Sequence, residues 1–252
     1  MNTHGFRKCR IIFDSPLRDG ILIRRYKRFL AEIKSSTGRT VLAHCANTGS
    51  MQGCAEPGSP VLYSIHNSNK RKIPVSWQAV QIHEEWVCIN TLFANRLIKQ
   101  ALKNHAFPEL SDFISFQSEV VVDGGRLDFL LERKGLRCYI EVKSVTLFQN
   151  KRAFFPDAVT LRGQRHLDVL TRLAKQGHRA VIFFLIHHPK FNIFSSAYWI
   201  DSDYAHKLNK AVRNGVEIMA YNTRMTKNDL QIYQKIDKIE FEWPERIGFS
   251  PN

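Results

Sequence analysis

Long apolar runs are missing from this chain. The longest uninterrupted one, Ala180 to Ile186, is seven residues and closes at His187 and His188, far short of the roughly 20 residues that cross a bilayer as a helix. The opening stretch, MNTHGFRKCRIIFDSP, has neither a continuous apolar segment nor a small-residue cleavage site, so no secretion signal is read there and a cytoplasmic location is expected. Cysteine is sparse: Cys9, Cys45, Cys54, Cys88 and Cys138 are scattered and odd in number, which fits reduced thiols rather than a disulfide framework. Repeats and low-complexity tracts are absent, and with 44% hydrophobic residues over 252 positions the chain is long enough for one large domain or two ordinary ones.

Negative charge is also scarce. Thirty-seven Lys and Arg face 23 Asp and Glu, giving a formal net charge of +14 and a sequence pI near 9.8. Such a surface attracts polyanions through a screened, sequence-independent field, and nucleic acid is the leading partner. The excess is uneven. Residues 1–84 hold 13 Lys or Arg against 5 Asp or Glu, and residues 85–252 hold 24 against 18, so the first third is the more basic part.

Residues 21–85 contain short apolar or alternating segments (ILIRRYKRFLAEI, RTVLAHCA, SPVLYSI) separated by Gly, Pro and Asn clusters. That rhythm predicts a small antiparallel β domain of barrel type. Arg24, Arg25, Tyr26, Lys27, Arg28 and Phe29 place cations beside rings. The arrangement suits phosphate neutralisation and base stacking, while burial of the two rings in a small core is the competing reading. Lys70, Arg71 and Lys72 form a second basic run and a candidate phosphate contact. From Asn90 the period changes to helical, with Leu92, Leu97, Ile98, Ala101 and Leu102 on one face. Three strand-like runs follow (Phe116 to Val122, Leu127 to Leu131, Cys138 to Val142), then a helix from Leu161 to Gln176 and the buried strand Ala180 to Ile186. Asp123-Gly124-Gly125 marks a tight hairpin between the first two strands. The order is α-β-β-β-α-β, extended by a helix at Ser202 to Asn214 and a strand at Val216 to Ala220.

Chemistry is expected in Arg126 to Ser144. Asp128 lies in one apolar run, and Glu141 and Lys143, two residues apart, project from one face of the next. Two carboxylates and an ammonium brought together suit a Mg²⁺ site for phosphodiester cleavage, with hard oxygen ligands and a cation to orient water or stabilise phosphate charge. The same pattern arises on ordinary half-exposed sheets, and both readings stand at this point. His44, Cys45 and Cys54 do not make a zinc set, because no matching pair follows at regular spacing. Asp157 reads as a turn or cap residue close to the Glu-Val-Lys strand. Arg162, Gln164, Arg165 and His166 open the second helix, where they can meet phosphates.

Several blocks resemble the bacterial sugar fermentation stimulation protein family, SfsA: HCANTGSMQGCAEPGSPVLYS (His44 to Ser64), NKRKIPVSWQAV (Asn69 to Val80), RLDFLL, YIEVKSVTL (Tyr139 to Leu147), FPDAVTLRGQRHL (Phe155 to Leu167) and GVEIMAY (Gly215 to Tyr221). The likeness runs in consistent order over residues 10–222. It implies an α/β chain with α+β elements: an N-terminal OB-like β-barrel (residues 1–85) followed by a restriction-endonuclease-like PD-(D/E)XK core (residues 86–252). It further implies non-specific DNA binding and a role in regulating sugar, particularly maltose, metabolism. Carried over by position, the nuclease-type motif falls on Asp128, Glu141 and Lys143, with Mg²⁺, or Mn²⁺ in its place, as the metal. One departure stands out: Thr91 to Ala101 carries Asn95 and Gln100 but no carboxylate, where nucleases of this fold often have an acidic residue. Glu119 either supplies the missing oxygen or is a solvated surface residue.

Overall fold

The computed structural model describes residues 9–66 and 71–241, so Lys70 of the second basic run lies outside the described residues. The first strand, β1 (Arg10–Ile12), finds its partner only near the end of the chain. Next come β2 (Arg18–Tyr26), β3 (Leu30–Ser35), β4 (Thr40–Cys45), β5 (Pro60–Ile65) and β6 (Val75–Ile82). Successive antiparallel pairings join β3 to β2, β2 to β5 and β5 to β6, while β4 pairs β3 and closes on β6 in parallel. The result is a closed five-stranded barrel. Alternation drives it: Leu22, Ala31, Ile33, Ala43, Val61, Tyr63 and Trp77 point inward and are buried. Each fully buried Leu or Ile contributes roughly 1.5–3 kcal/mol relative to exposure. Gly20 permits the tight crossing of β2 over β3, since a Cβ there would collide with Ile33.

β7 (Glu85–Cys88) forms a hairpin with β6 and touches the second sheet through Trp86↔Met225. The amphipathic helix α1 (Leu92–Lys103) follows. The Asn90 carboxamide accepts the Leu92 N–H at 3.1 Å, so Asn90 rather than Thr91 supplies the side-chain contact at its start. β8 (Ser115–Val122), β9 (Gly125–Arg133) and β10 (Leu136–Val145) are joined by two-residue turns. Asp123-Gly124 makes the predicted hairpin, with Gly124 at φ +83°. Lys134 and Gly135 both adopt positive φ, as the second turn requires.

Beyond β11 (Leu147–Gln149) and β12 (Arg152–Phe155), α2 (Leu161–Lys175) starts at Thr160, whose hydroxyl accepts the Gly163 N–H. β13 (Arg179–Ile186), β14 (Ile193–Ser196), α3 (Ser202–Arg213), β15 (Val216–Met225), β16 (Asp229–Lys235) and β17 (Lys238–Glu240) complete the order. In the second domain the strands run β8-β9-β10-β13-β15-β16-β1, with β10, β13 and β15 parallel. One face is covered by α1 and the other by α2 and α3. The predicted α-β-β-β-α-β order is present. A separate sheet, β11-β12-β14-β17, was not predicted, because strands of three or four residues are too short to show a period.

The two domains share a core. Leu62 and Ala79 of the barrel strands and Cys88 of β7 turn into the cluster built by α1 with Phe129, Ile140 and Phe183.

Candidate active site

The last antiparallel pair between β9 and β10 is Phe129↔Ile140. Beyond it the strands part: β9 continues along β8, and β10 continues along β13 with Glu141↔Ile182 and Lys143↔Phe184. Asp128 and Glu141 are the first residues past this divergence. Because β9 has left, the Val142 N–H has no strand partner on that side and donates instead to Asp128 Oδ2 at 2.8 Å. The other oxygen, Oδ1, accepts the Asn95 carboxamide of α1 at 2.7 Å. The helix position where a carboxylate was missed thus serves the site through an amide that orients Asp128.

Glu141 and Lys143 lie under α2. Lys143 Nζ donates to Glu141 Oε1 at 2.7 Å, and His166 Nδ1, from the buried face of α2, meets the same oxygen. Lys143 and His166 are themselves 3.3 Å apart. The carboxylate is 5% exposed, and Glu141 Oε2 is buried with no hydrogen-bond partner among the described residues. Tyr204 of α3 presents another buried hydroxyl without a partner among the described residues.

Electrostatics separate the two carboxylates. Burial and then the charge of Glu141 push Asp128 up to about 6, against the Val142 and Asn95 hydrogen bonds. Burial also pushes Glu141 up, but Lys143 and His166 outweigh it and hold that carboxyl below its ordinary value. Burial, with the charges of Glu141 and Asp201, raises Tyr204 well above a normal phenol. The arrangement is one ionised carboxylate locked to a lysine beside a second that is protonated more readily, a division of labour common at working sites.

α2 is positioned by Asp201, which accepts the Thr160 N–H at 2.8 Å, the Gln164 carboxamide at 2.9 Å and, at the start of α3, the Tyr204 N–H at 2.9 Å. Gln164 is therefore a buried strut. Arg162 and Arg165 lie on the exposed side of the same helix, turned away from His166. Glu119 lies between the Ser118↔Phe129 and Val120↔Leu127 pairs, half exposed, with its carboxylate on Arg126 at 2.9 Å. Among the described residues no three His, Cys, Asp or Glu side chains gather as a ready metal set.

Asp157 reaches the barrel. Its Oδ2 accepts the Met51 N–H at 2.9 Å and the Ser50 hydroxyl at 3.2 Å. Arg25 braces the same loop, donating to the carbonyls of Asn47, Gly49 and Ser50 at 2.9, 2.8 and 3.2 Å. Arg24 forms a two-point pair with Glu32 at 2.7 and 2.9 Å and lies 5.0 Å from the Tyr26 ring centre. Phe29, at the β2–β3 turn, is 46% exposed and so is not part of the barrel core. Arg71 and Lys72 line a groove beside the barrel.

Sequence reasoning did not find the Asp128–Asn95 bond, the junction of His166 with Glu141, or Tyr204. His166 carried a signal, since it shares the inward helical face with Gly163, Leu167 and Leu170.

Two family descriptions match. Residues 23–89 match the SfsA N-terminal OB domain, and residues 92–229 match the sugar fermentation stimulation protein RE domain. Among solved structures, the SfsA of Pyrococcus furiosus in complex with Ca²⁺ is similar with a TM-score of 0.83 and 27% identity, covering 91% of this chain and 98% of that one. The small subunit of the heterodimeric restriction endonuclease R.BspD6I matches with a TM-score of 0.28 and 15% identity, over 52% of this chain and 62% of that one. With both domain descriptions matched in order over most of its length, this chain belongs to the SfsA family.

Proposed function

We propose that this protein binds nucleic acid without sequence preference and carries a divalent-cation-dependent phosphodiester site at Asp128, Glu141 and Lys143. The observation that carries the reading is Glu141 Oε2, a buried carboxylate oxygen with no partner among the described residues, beside a second carboxylate that Asn95 and Val142 hold in one orientation. An oxygen in that state costs free energy unless a cation or water completes it. The donors fit a hard ion: Asp128 and Glu141 would hold it, and with only two carboxylates the affinity would be low until phosphate oxygens join. Support also comes from the Ca²⁺ complex of the Pyrococcus relative. A bound Mg²⁺ or Mn²⁺ supplies charge neutralisation and an acidified water. Lys143, held at 2.7 Å on Glu141, would place positive charge near the phosphate oxygens, and His166, bonded to Glu141 Oε1, would leave Oε2 to the ion.

The competing reading is an accessory DNA-binding regulator of sugar, including maltose, metabolism that binds without cutting. The lack of a third ligating side chain among the described residues favours it. Calorimetry and cleavage assays on several nucleic-acid forms, with Mg²⁺ or Mn²⁺, separate the two. The parent is expected to cleave or to gain affinity on metal addition, Asp128→Asn and Glu141→Gln to gain little, and Lys143→Ala to keep metal binding while losing cleavage by on the order of 10²-fold or more. Three variants indistinguishable from the parent in metal leave the regulator reading.

A further inference from the structure

A groove of about 610 Å³ lies between the barrel, the N-terminal segment and α1. Its walls are apolar and open: Ile12, Phe29, Ile65 and Leu92 line it with 62, 46, 39 and 66% of their surface exposed. An exposed apolar patch rimmed by polar side chains is the mark of a binding groove. The floor is polar and internally bonded. His66 Nε2 lies 3.1 Å from both Ser64 Oγ and Ser76 Oγ, Gln78 donates to Ser64 at 2.8 Å, and Asn90 donates to Gln78 at 2.7 Å. The rim is basic. Arg71, Lys72 and Arg96 line the groove, and among the described residues none of them forms an ion pair with a carboxylate; Asp14 is the single acidic residue lining it.

Rings on a wall, hydrogen-bonding groups on a floor and unpaired cations on a rim match the three parts of a nucleotide. A duplex offers phosphates and base edges to a protein groove but no base faces, because its bases are already stacked and paired. Exposed Phe29, Ile65 and Leu92 gain from contact only with bases that are unstacked. We infer that this groove takes an unpaired stretch of nucleic acid, its bases against Phe29 and the apolar wall and its phosphates along Arg71, Lys72 and Arg96. The geometry also ties it to the carboxylates. Leu92, Phe93 and Arg96 of α1 line the groove, and Asn95 of the same helix turn holds Asp128. A strand lying in the groove is therefore read against the helix that orients the site.

This inference rests on the nucleic-acid reading above, and the test keeps the two apart. Fluorescence anisotropy compares a labelled single strand of about 16 nucleotides with a blunt duplex of the same length, at one salt concentration, for the parent, Phe29→Ala and Arg96→Ala. Both side chains are partly or fully solvent-facing, and thermal melts confirm that the variants fold. The parent is expected to prefer the single strand, and Phe29→Ala to reduce that preference by about 5- to 150-fold, the range for losing one base–ring stack. Arg96→Ala should weaken single-strand binding and make its salt dependence shallower by about one phosphate. Duplex binding and metal-dependent behaviour that persist while Phe29→Ala leaves the preference unchanged overturn the groove assignment alone. Absence of binding to either form overturns both readings. Concentration-dependent dimerisation of the parent that Phe29→Ala abolishes names a second copy as the occupant, and also overturns the inference.

Discussion

His187 follows β13 and has no exposed surface; its Nε2 lies 2.9 Å from Ser144 Oγ and its Nδ1 3.3 Å from Thr223 Oγ1. Burial alone pulls it down to about 3, whereas the unfolded chain takes up that proton near 6.5. The folded value is depressed, so the stability it contributes is complete above about pH 6.5 and is lost as pH falls toward 3, at about 1.4 kcal/mol per pH unit. Urea denaturation at pH 7 and pH 5 should show His187→Gln losing about 2 kcal/mol less than the parent between the two conditions; equal losses would show that the ring is already satisfied as an imidazolium. Asp128 works in the opposite sense. Its folded value is raised, so its contribution is complete below about pH 4 and is lost as pH climbs through about 6. In the sequence these residues were legible as types and positions. Asp128, Glu141 and Lys143 could be picked out by spacing because a strand of period two fixes which side chains share a face. The jobs of Arg24 and Arg25 could not, since a cation paired with Glu32 and one braced on loop carbonyls look alike as letters.

At the level of elements, the tie between Asp157 and the 47–51 loop joins the segment before α2 to the barrel across more than a hundred residues of chain. Asp157 accepts from a main-chain N–H that has no strand partner, so Asp157→Ala leaves that donor without its charged acceptor, at a cost of roughly 1–3 kcal/mol. Hydrogen exchange should quicken at Met51 and its neighbours while α2 stays protected; unchanged exchange at Met51 would mean that the loop is held by Arg25 alone. Helices α1, α2 and α3 were readable because each keeps an apolar stripe at the 3.6-residue period, and the β8–β9 turn because Asp-Gly demands positive φ. Strands β11, β12, β14 and β17 were not, being shorter than any reliable period. The Asp157 contact was invisible for a different reason, as nothing local marks a carboxylate that finds its donor in another domain.

For the whole molecule, the decisive feature is that barrel residues Leu62 and Ala79, with Cys88 of β7, are buried in the cluster under α1. Two domains that share apolar surface in this way do not unfold independently without exposing it. Differential scanning calorimetry in chelator should therefore show one transition, with calorimetric and van't Hoff enthalpies in agreement. Two resolved transitions would make the shared cluster a weak contact.

The pairing of β1 with β16, Ile12↔Asp229 among its contacts, has a consequence for the order of assembly. During synthesis the five barrel strands follow β1 off the ribosome and can close, yet their outer residues Leu62 and Ala79 remain uncovered until α1 emerges. The edge of the second sheet waits far longer, since the earliest strand made must be held for one of the last. So wide a separation between partners raises the entropy lost on closure and slows folding. A nascent chain of this kind carries a finished, basic barrel beside an unfinished sheet, and that half-made state is where the protein is most open to aggregation and to holding by chaperones.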